Sequence, residues 1–239
     1  EVQEVLRSEG HLAATDPVPD RFESALRGAL AVWGIVPSAE QMRLLRAHFA
    51  AVLEGNRRFN LTRVTEPDHA AVSLYADSLA VVAWAERLGV RARAVLDAGT
   101  GAGFPAVPVA VMQPRWQVTA IDGTGKKTVF LADCARELPV SNLTAMHSRV
   151  EQMHAPPAYD LILFKAVAKI EQCLHWSQHA LAPRGFVVLY KTSDVPVVEE
   201  AAGRRTAGRL GYHEADRFEY TLRRGDETLP RSLRLFARR

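Results

Sequence analysis

The chain has 239 residues, of which 48% are hydrophobic and 24% charged, proportions typical of a soluble globular protein with one α/β domain and an appendage. It has no apolar run near the roughly 18 residues that a membrane span needs, and its polar N-terminus does not resemble a signal peptide. Its two cysteines offer neither a disulfide framework nor a metal-binding spacing, which favours a reducing cytoplasm.

Charge is unevenly distributed along the chain, whose net charge is +3. Residues 201–239 hold ten arginines against five acidic residues, and Arg57, Arg58 and Arg63 form a second basic cluster. Such clusters favour a polyanionic partner such as nucleic acid. Solvated arginines on helix and strand surfaces would give the same pattern, so charge alone leaves both interpretations open.

Three helices are predicted in the N-terminal part of the chain. Residues 1–19 lack a periodic apolar pattern and contain two prolines, so we expect them to form a mobile arm. Capping-box patterns predict a first helix from Asp20 and a second from Ser38, and apolar periodicity predicts a third over about 68–88. We expect these helices to cap a sheet domain rather than to form a separate core.

A glycine-rich turn follows a short apolar run that suits a buried parallel strand: Asp97-x-Gly99-x-Gly101-x-Gly103. Three glycines at alternate positions let the backbone turn tightly and approach a ligand closely. A second apolar run ends at Asp122, about 20 residues further on, where an acidic side chain can hold a ribose diol. Strand, turn and helix predict the nucleotide-binding start of a doubly wound α/β domain.

The spacing of the glycines discriminates between nucleotide ligands. Dinucleotide enzymes favour G-x-G-x-x-G, which presents a helix N-terminus to a pyrophosphate, whereas this chain has G-x-G-x-G. That pattern resembles class I methyltransferases, which bind S-adenosylmethionine (SAM). Asp97 could meet the SAM amino group directly or through water. A turn without any ligand is the less favoured interpretation.

From residue 93 onward the pattern alternates between strands and helices, which predicts a parallel sheet with right-handed crossovers. Two late strands are expected to form a hairpin with its tip at Gly225-Asp226. The chain thus divides into the arm (1–19), a helical cap (20–89) and the α/β domain (90–239). Strands are predicted over 94–97, 117–122, 142–147, 159–164, 186–190, 212–222 and 228–237, and helices over 104–113, 125–138 (with Val129, Phe130 and Leu131 inward), 169–181 and 195–209.

Several short segments make the pattern more specific. They are Phe59-Asn60-Leu61-Thr62, Asp77-Ser78-Leu79, Asp97 to Pro105, Ile121 to Lys127, Phe130-Leu131, Ser148-Arg149-Val150-Glu151, Ala166-Val167-Ala168 and Lys191. Together they resemble one family, the 16S ribosomal RNA guanine-N7 methyltransferases, also called glucose-inhibited division protein B. The Gly-Phe-Pro continuation and the Gly-Lys-Lys after the second strand are much more specific than the glycine turn itself.

This resemblance implies a class I SAM-dependent methyltransferase fold, a Rossmann-like seven-stranded sheet with an N-terminal helical cap. It implies SAM as cofactor and 16S ribosomal RNA, or the small ribosomal subunit, as partner of a cytoplasmic monomer. Glycine amides are expected to reach the SAM carboxylate, Asp122 the ribose and Val150 the adenine. The alternative role for Phe104 is core packing. The alternative role for Glu151 is that of a carboxylate in the first turn of a helix, where the helix dipole favours negative charge. The predicted cofactor-binding residues are Asp97, Gly99, Gly101, Gly103, Phe104, Asp122, Val150, Glu151 and Lys165.

Lys165 and Lys191, at the ends of the fourth and fifth strands, are the predicted catalytic residues, because they could hold phosphate or guanine O6. Surface lysines at strand ends are the alternative interpretation. Guanine N7 has a free lone pair and loses no proton, so the reaction needs no general base. The histidines are scattered without a metal-binding spacing, and no metal site is predicted.

The loop that contains Arg57, Arg58, Asn60 and Arg63 is predicted to bind RNA, although its asparagines could equally satisfy turn backbone. In this fold ligands lie beyond the carboxyl ends of the strands. We therefore expect one basic surface around the mouth of the cofactor site. Lys165 and Lys191 would lie inside it, with the loop arginines and those of residues 201–239 outside.

Four positions depart from the family pattern and bear on the substrate side. The segment around Tyr75 lacks the histidine of the family, Lys165 replaces an arginine, and Ala106 and Thr192 replace glycines. Lysine lacks the planar fork of arginine. Two alternatives stay open on these grounds. One is a methyltransferase of the same fold with another nucleotide or small-molecule substrate, and the other is a catalytically degenerate RNA-binding protein.

Overall fold

The computed structural model describes residues 17–153 and 158–238. Most of the predicted mobile arm, residues 1–16, lies outside the described residues. The first helix, α1, spans Pro17–Ala31, so the expected start at Asp20 is wrong. Proline is tolerated in the first turn of a helix, where its missing N–H has no intrahelical partner. The two prolines therefore do not exclude a helix here.

The second helix, α2, spans Ala39–Phe59 and begins with the predicted capping box. The Ser38 hydroxyl accepts from the Gln41 amide at 3.1 Å, and the Gln41 side chain accepts from the Ser38 amide at 2.9 Å. A third helix, α3, is α-helical over Pro67–Ala70 and over Asp77–Leu88. Between these parts the residues Ala71–Ala76 form a π-helical segment, which the sequence pattern does not predict.

Seven strands form one sheet in the order β3-β2-β1-β4-β5-β7-β6 within the described residues. The strands β1 to β5 are parallel, and β7 lies antiparallel between β5 and β6. The class I methyltransferase layout predicted from the resemblance is confirmed. The strands are β1 (Ala94–Ala98), β2 (Gln117–Asp122), β3 (Leu143–His147), β4 (Tyr159–Lys165), β5 (Leu181–Thr192), β6 (Tyr212–Arg224) and β7 (Glu227–Arg238), and the helices between them are α4 (Ala106–Met112), α5 (Gly125–Glu137), α6 (Ile170–Ser177) and α7 (Val197–Leu210).

The chain order of the strands reverses between β1 and β4. From β1 the chain moves outward through β2 to β3, and then returns to place β4 on the other side of β1. The loops that leave β1 and β4 consequently diverge at their carboxyl ends, where ligands bind in open α/β sheets. The described residues contain no helix that is both long and apolar enough to cross a membrane.

Two predicted elements differ in length from those observed. Helix α6 ends at Ser177, and strand β5 starts at Leu181 instead of Phe186. Arg184 has a φ of 65° and the pairing register with β4 shifts there, so the Pro-Arg-Gly sequence forms an irregularity within the strand. The expectation that Val129 faces inward is also wrong, because its side chain is 57% exposed whereas the next two residues are buried.

Buried side chains form two apolar clusters, one on each face of the sheet. The larger cluster joins residues of α1, α2 and α3, such as Leu26, Leu45 and Trp84, to strand residues such as Leu163 and Leu235. The smaller cluster packs α6 and the end of α7 against the opposite face. The N-terminal helices thus share the core of the sheet and hold α3 against the carboxyl ends of β4 and β5.

Candidate active site

The glycine turn links the end of β1 to the edge of β2. Gly99, Gly101 and Gly103 have φ values of 78°, 59° and 95°, a left-handed backbone that favours glycine. The amides of Gly99 and Thr100 both donate to the carbonyl of Ile121, at 2.8 and 3.0 Å. The Gly101 amide donates to Asp122 and the Gly103 amide to the Thr100 carbonyl, so all three glycine amides have partners within the protein, contrary to the expectation that glycine amides reach the SAM carboxylate. What the glycine allows instead is a close approach of the backbone.

Asp122, the last residue of β2, fixes the turn from the other side. Its Oδ2 accepts from the Gly101 amide at 3.0 Å, and its Oδ1 accepts from the Thr124 amide at 2.8 Å. The side chain is buried, yet it lines a cleft beside the turn. A carboxylate has about four acceptor positions, so one on each oxygen remains for a ligand. That capacity matches a ribose diol.

The cleft has a volume of about 290 Å³ and opens at the carboxyl ends of β1, β2 and β4. Of the predicted cofactor-binding residues, the structure brings Gly99, Asp122, Val150 and Glu151 to its wall. Glu151 lies in the first turn of a short 3₁₀ helix, Val150–Gln152, as its alternative role would require. Ile121, Val150, Val167 and Trp176 supply apolar surface, which suits a ligand with a flat aromatic base.

Asp97 lies beneath the glycine turn and is fully buried. Its Oδ2 accepts from the Ala106 amide at 3.0 Å, whereas its Oδ1 and the neighbouring Thr100 hydroxyl form no hydrogen bond of regular geometry with the described residues. Burial raises the pKa of Asp97 to about 7, and the nearby Thr100 hydroxyl and the Ala106 amide oppose this shift. Unsatisfied buried oxygens next to a ligand cleft fit a cationic donor, such as the amino group of SAM.

Phe104 does not line the cleft but packs in an aromatic cluster behind the turn. Its ring centroid lies 5.2 Å from that of His48 and 5.0 Å from that of Tyr75. His48 Nε2 donates to the Ala102 carbonyl at 3.0 Å, and its Nδ1 accepts from the Tyr75 hydroxyl at 2.8 Å. Burial lowers the pKa of His48 to about 4, so the ring is neutral and uses one nitrogen as donor and one as acceptor.

This cluster explains two features of the sequence. Tyr75, one of the departures from the family pattern, holds the histidine that fixes the glycine turn. Gly103 lies against the same group, since an added Cβ would be 3.1 Å from His48 Nε2 and 2.8 Å from a methyl group of Val107. Gly101, Gly103 and Phe104 consequently support the cleft from outside its wall.

A second cavity, of about 310 Å³, lies on the other side of Ala166. Both predicted catalytic lysines line it, and each forms an ion pair: Lys165 Nζ lies 2.9 Å from Asp77 Oδ2, and Lys191 Nζ lies 2.7 Å from Glu199 Oε1. Lys165 is therefore placed in this cavity rather than in the cleft. Ala166 lines both spaces and has a φ of 56°. Thr192, another departure, lies in the same wall.

The predicted RNA-binding loop follows the end of α2. Arg57 forms an ion pair with Glu54 at 2.8 Å, Arg58 lies 5.1 Å from the ring centroid of Phe59, and Arg63 is exposed. Asn60 has a φ of 50° and ends the helix, with its amide donating to the Asn56 carbonyl at 3.2 Å. The alternative role proposed for the asparagines is present at Asn56, whose Oδ1 accepts from the Thr62 amide at 2.9 Å, whereas Asn60 supplies the left-handed residue that ends the helix.

The arginines of residues 201–239 do not all contribute to a basic surface. Arg234 is only 2% exposed, and its guanidinium contacts Glu214 at 2.7 Å and Glu200 at 2.6 Å. Arg217 lies between the same two glutamates, at 3.2 and 3.6 Å. The expectation that this tail supplies outer phosphate-binding arginines is therefore wrong for Arg234, which joins α7 to the hairpin instead.

Sequence reasoning missed two cations at the cleft, Lys127 and Arg149, and the carboxylate of Asp77 in the second cavity. Arg149 lies across Gly123, where an added Cβ would be 3.0 Å from its Nε. All of these residues belong to segments that match the family pattern, so the sequence marked these segments as part of the site. The direction of their side chains depends on contacts between distant elements, which the pattern does not contain.

Replacing Gly99 with alanine should weaken SAM binding by about tenfold or more, because the new Cβ would lie 2.8 Å from Val167 Cγ2 in the wall of the cleft, and such overpacking costs about 1–3 kcal/mol. Gly101→Ala is the matched control, since it also has a left-handed backbone but no heavy atom within 4 Å of the added Cβ. Calorimetry with SAM should show the loss only in Gly99→Ala, and Val167→Ala should restore binding. Equal affinities of the two alanine variants would contradict this explanation.

Among the described residues, no group of three or more His, Cys, Asp or Glu side chains is arranged to hold a metal ion.

Comparison with solved structures identifies methyltransferases. The chain superposes on a precorrin-6y C5,15-methyltransferase from Geobacter metallireducens with a TM-score of 0.52 and 13% identity, over 81% of this chain and 100% of that one. A ribosomal protein L11 methylase from Lactobacillus delbrueckii gives a TM-score of 0.50 at 15% identity, over 67% and 77%. At these identities the likeness concerns the fold alone.

Comparison of sequences is more specific. The chain is 39% identical to the ribosomal RNA small subunit methyltransferase G of Stutzerimonas stutzeri, over 66% of this chain and 71% of that protein. It is 34% identical to the protein of the same name from Microcystis aeruginosa, over 65% and 72%. A model of the family described as "GidB: rRNA small subunit methyltransferase G" matches residues 41–208, which include all residues that line the cleft and, except for Arg231, those that line the second cavity. The chain therefore belongs to the rRNA small subunit methyltransferase G family.

Proposed function

We propose that the protein transfers a methyl group from SAM to N7 of a guanine in 16S ribosomal RNA. Membership of the family supports a SAM-dependent enzyme that acts on small-subunit ribosomal RNA. The structural observation that carries the proposal is the arrangement of the two cavities. The cleft suits a nucleoside, and the second cavity, with charged side chains such as Asp77 and Lys165 in its wall, suits a base. The two spaces share Ala166, so ligands in them would meet at that residue.

The residues present fit SAM. Asp122 has acceptor capacity for the ribose, Val150 offers an apolar surface to the adenine, and Gly99 lets the ligand lie close to the backbone. Asp97 has an unsatisfied oxygen below the turn, which supports a role towards the amino group. Lys127 and Arg149 add positive charge at the same cleft, which suits a ligand that carries a carboxylate.

When bound, SAM supplies an electrophilic methyl group on a sulfonium. Because guanine N7 has a free lone pair, the side chains of this protein do not have to remove a proton. Their tasks are to align the base with the cofactor and to exclude water, which can lower the barrier of such a displacement by several kcal/mol. Lys165, which lines the second cavity, would donate a hydrogen bond to guanine O6, and Lys191 lines the same cavity.

We place the RNA backbone on the side of the loop that contains Arg57, Arg58 and Arg63. Helix α2 packs against α5, which begins at the cleft, and Gly55 of α2 lies close to both Phe130 of α5 and Leu61 of the loop. This contact supports a path for RNA from the loop to the cavities.

We further propose that the protein acts as a monomer in the cytoplasm, where its ribosomal substrate is assembled. Both cysteines are free and buried, in keeping with a reducing compartment.

The test is methyl incorporation from labelled SAM into isolated small ribosomal subunits and into naked 16S RNA, followed by mapping of the modified nucleotide. We expect one 7-methylguanosine, together with calorimetric binding of SAM and of its demethylated product. Methylation of another atom or of a small molecule would replace the substrate in this proposal. RNA binding without transfer at saturating SAM would identify a degenerate RNA-binding protein. Binding of NAD but not SAM would reject the proposal altogether.

A further inference from the structure

The second cavity contains a buried carboxylate with an unusual set of partners. Asp77 is only 5% exposed, yet it lines the cavity. Its Oδ2 lies 2.9 Å from Lys165 Nζ, its Oδ1 accepts from the Tyr220 hydroxyl at 2.8 Å, and Arg231 Nε lies 3.9 Å from the same oxygen. Buried ion pairs contribute little net stability compared with apolar packing. A charged group of this kind on a cavity wall therefore indicates a ligand site.

Asp77 and Lys165 keep hydrogen-bonding positions that are free to bind a ligand in the cavity. A carboxylate has about four acceptor positions, of which Lys165 and Tyr220 take one each at short distance. The lysine has three donors, and it contacts the Ser73 carbonyl at 3.4 Å besides Asp77. The π-helical segment Ala71–Ala76 ends at Asp77 and brings Ser73 and Asp77 to the same cavity. A ligand thus meets two acceptor positions of Asp77 beside one donor of Lys165.

We infer that Asp77 and Lys165 recognise the Watson–Crick edge of the acceptor guanine, an inference that rests on the proposed function. That edge presents O6 as an acceptor and then two adjacent donors, N1–H and the N2 amino group. Asp77 would accept from both donors and Lys165 would donate to O6. Adenine, cytosine and uracil do not present two adjacent donors on this edge, so the cavity selects guanine by its chemistry.

The same orientation leaves the methyl acceptor free. N7 belongs to the imidazole ring of guanine, away from N1 and N2, so a guanine held at Asp77 can turn N7 towards the wall at Ala166. That wall separates the cavity from the cofactor cleft. Reading a Watson–Crick edge requires that the base be unpaired and turned out of its stack, as in other enzymes that modify nucleobases.

The test compares small-subunit RNA assembled by ligation with guanosine, inosine or 7-deazaguanosine at the mapped nucleotide. Inosine lacks only the N2 amino group, so kcat/KM of the wild-type protein should fall by about tenfold or more, the value of one hydrogen bond to a charged group. Asp77→Asn should bring the guanosine-to-inosine ratio within about twofold, mainly by slowing the reaction of guanosine, since an amide keeps one acceptor for N1–H. SAM affinity, measured by calorimetry, should stay unchanged.

Glu199→Gln provides the matched control, because it also removes a carboxylate paired with a lysine, but Glu199 does not line the cavity. It should keep the wild-type guanosine-to-inosine ratio whatever its effect on the rate. Equal wild-type rates on guanosine and inosine, a comparison that needs no variant, would overturn the inference while leaving the proposed function intact. Methyl transfer to 7-deazaguanosine, or none to guanosine, would instead contradict the proposed function.

Discussion

Asp122→Ala should weaken the binding of SAM by about 100-fold or more. The carboxylate can accept from both ribose hydroxyls, and hydrogen bonds to charged groups are each worth about 1.5–3 kcal/mol. The substitution also releases the amides of Gly101 and Thr124, which Asp122 holds at 3.0 and 2.8 Å. Isothermal calorimetry with SAM and with its demethylated product measures the loss directly.

Asp160→Ala is the control that separates ligand contact from backbone support. Asp160 also accepts from two backbone amides, those of Arg93 and Ala94 at 2.7 and 2.9 Å, but it does so at the amino end of β1, away from the cleft. Both variants should lose comparable stability in chemical denaturation, and only Asp122→Ala should lose affinity. If a cofactor analogue without ribose hydroxyls bound the wild-type protein as tightly as SAM does, Asp122 would act only on the backbone.

Lys165→Met should destabilise the folded protein by about 3–5 kcal/mol, because it removes the closest cation from the buried carboxylate of Asp77. The remaining partners of Asp77 are the Tyr220 hydroxyl and Arg231, whose Nε is 3.9 Å away. The double variant Lys165→Met/Asp77→Asn should recover most of the loss, since its cavity wall carries no unpaired carboxylate. Urea denaturation of both variants and the wild type gives the free energies of unfolding.

Lys191→Met is the matched comparison and should cost less, about 1–2 kcal/mol. Its partner Glu199 lies in the first turn of α7, where the helix dipole favours negative charge, and it also accepts from the Ile170 amide at 3.2 Å. The carboxylate therefore keeps stabilising partners after the lysine is lost. Equal costs at the two positions, or no recovery in the double variant, would show that Asp77 does not depend on Lys165.

Local patterns predicted much of the fold. The strand, glycine turn and helix around Gly99, the capping box at Ser38 and the hairpin tip at Gly225 all depend on residues that are close in sequence, and each is present. Two predicted boundaries were wrong: the helix does not start at the capping pattern of Asp20, and β5 does not start at Phe186. In both cases the structure continues the element past a proline, Pro19 in α1 and Pro183 in β5.

The two halves of the site differ in how far sequence could predict them. Asp122 ends β2 and Val150 follows the end of β3, so parallel topology alone brings them to one edge. Asp77 meets Lys165 because α3 packs across the ends of β4 and β5, and that contact joins residues far apart in the chain. No periodicity encodes such a pair. The two lysines could be assigned to strand ends but not to their carboxylate partners.

The π-helical segment has a consequence for insertions and deletions. A π-helical turn takes up one extra residue by winding less per residue, so removing one residue from Ala71–Ala76 would restore regular α-helical winding and leave the two α-helical parts of α3 in nearly the same relative rotation. A deletion between Ser73 and Asp77 would reduce the separation of these two cavity residues from four positions to three. A single added codon in a regular helix would suffice to create the π-helical segment. Length variation at this point would thus change the wall of the cavity without displacing the rest of the helix.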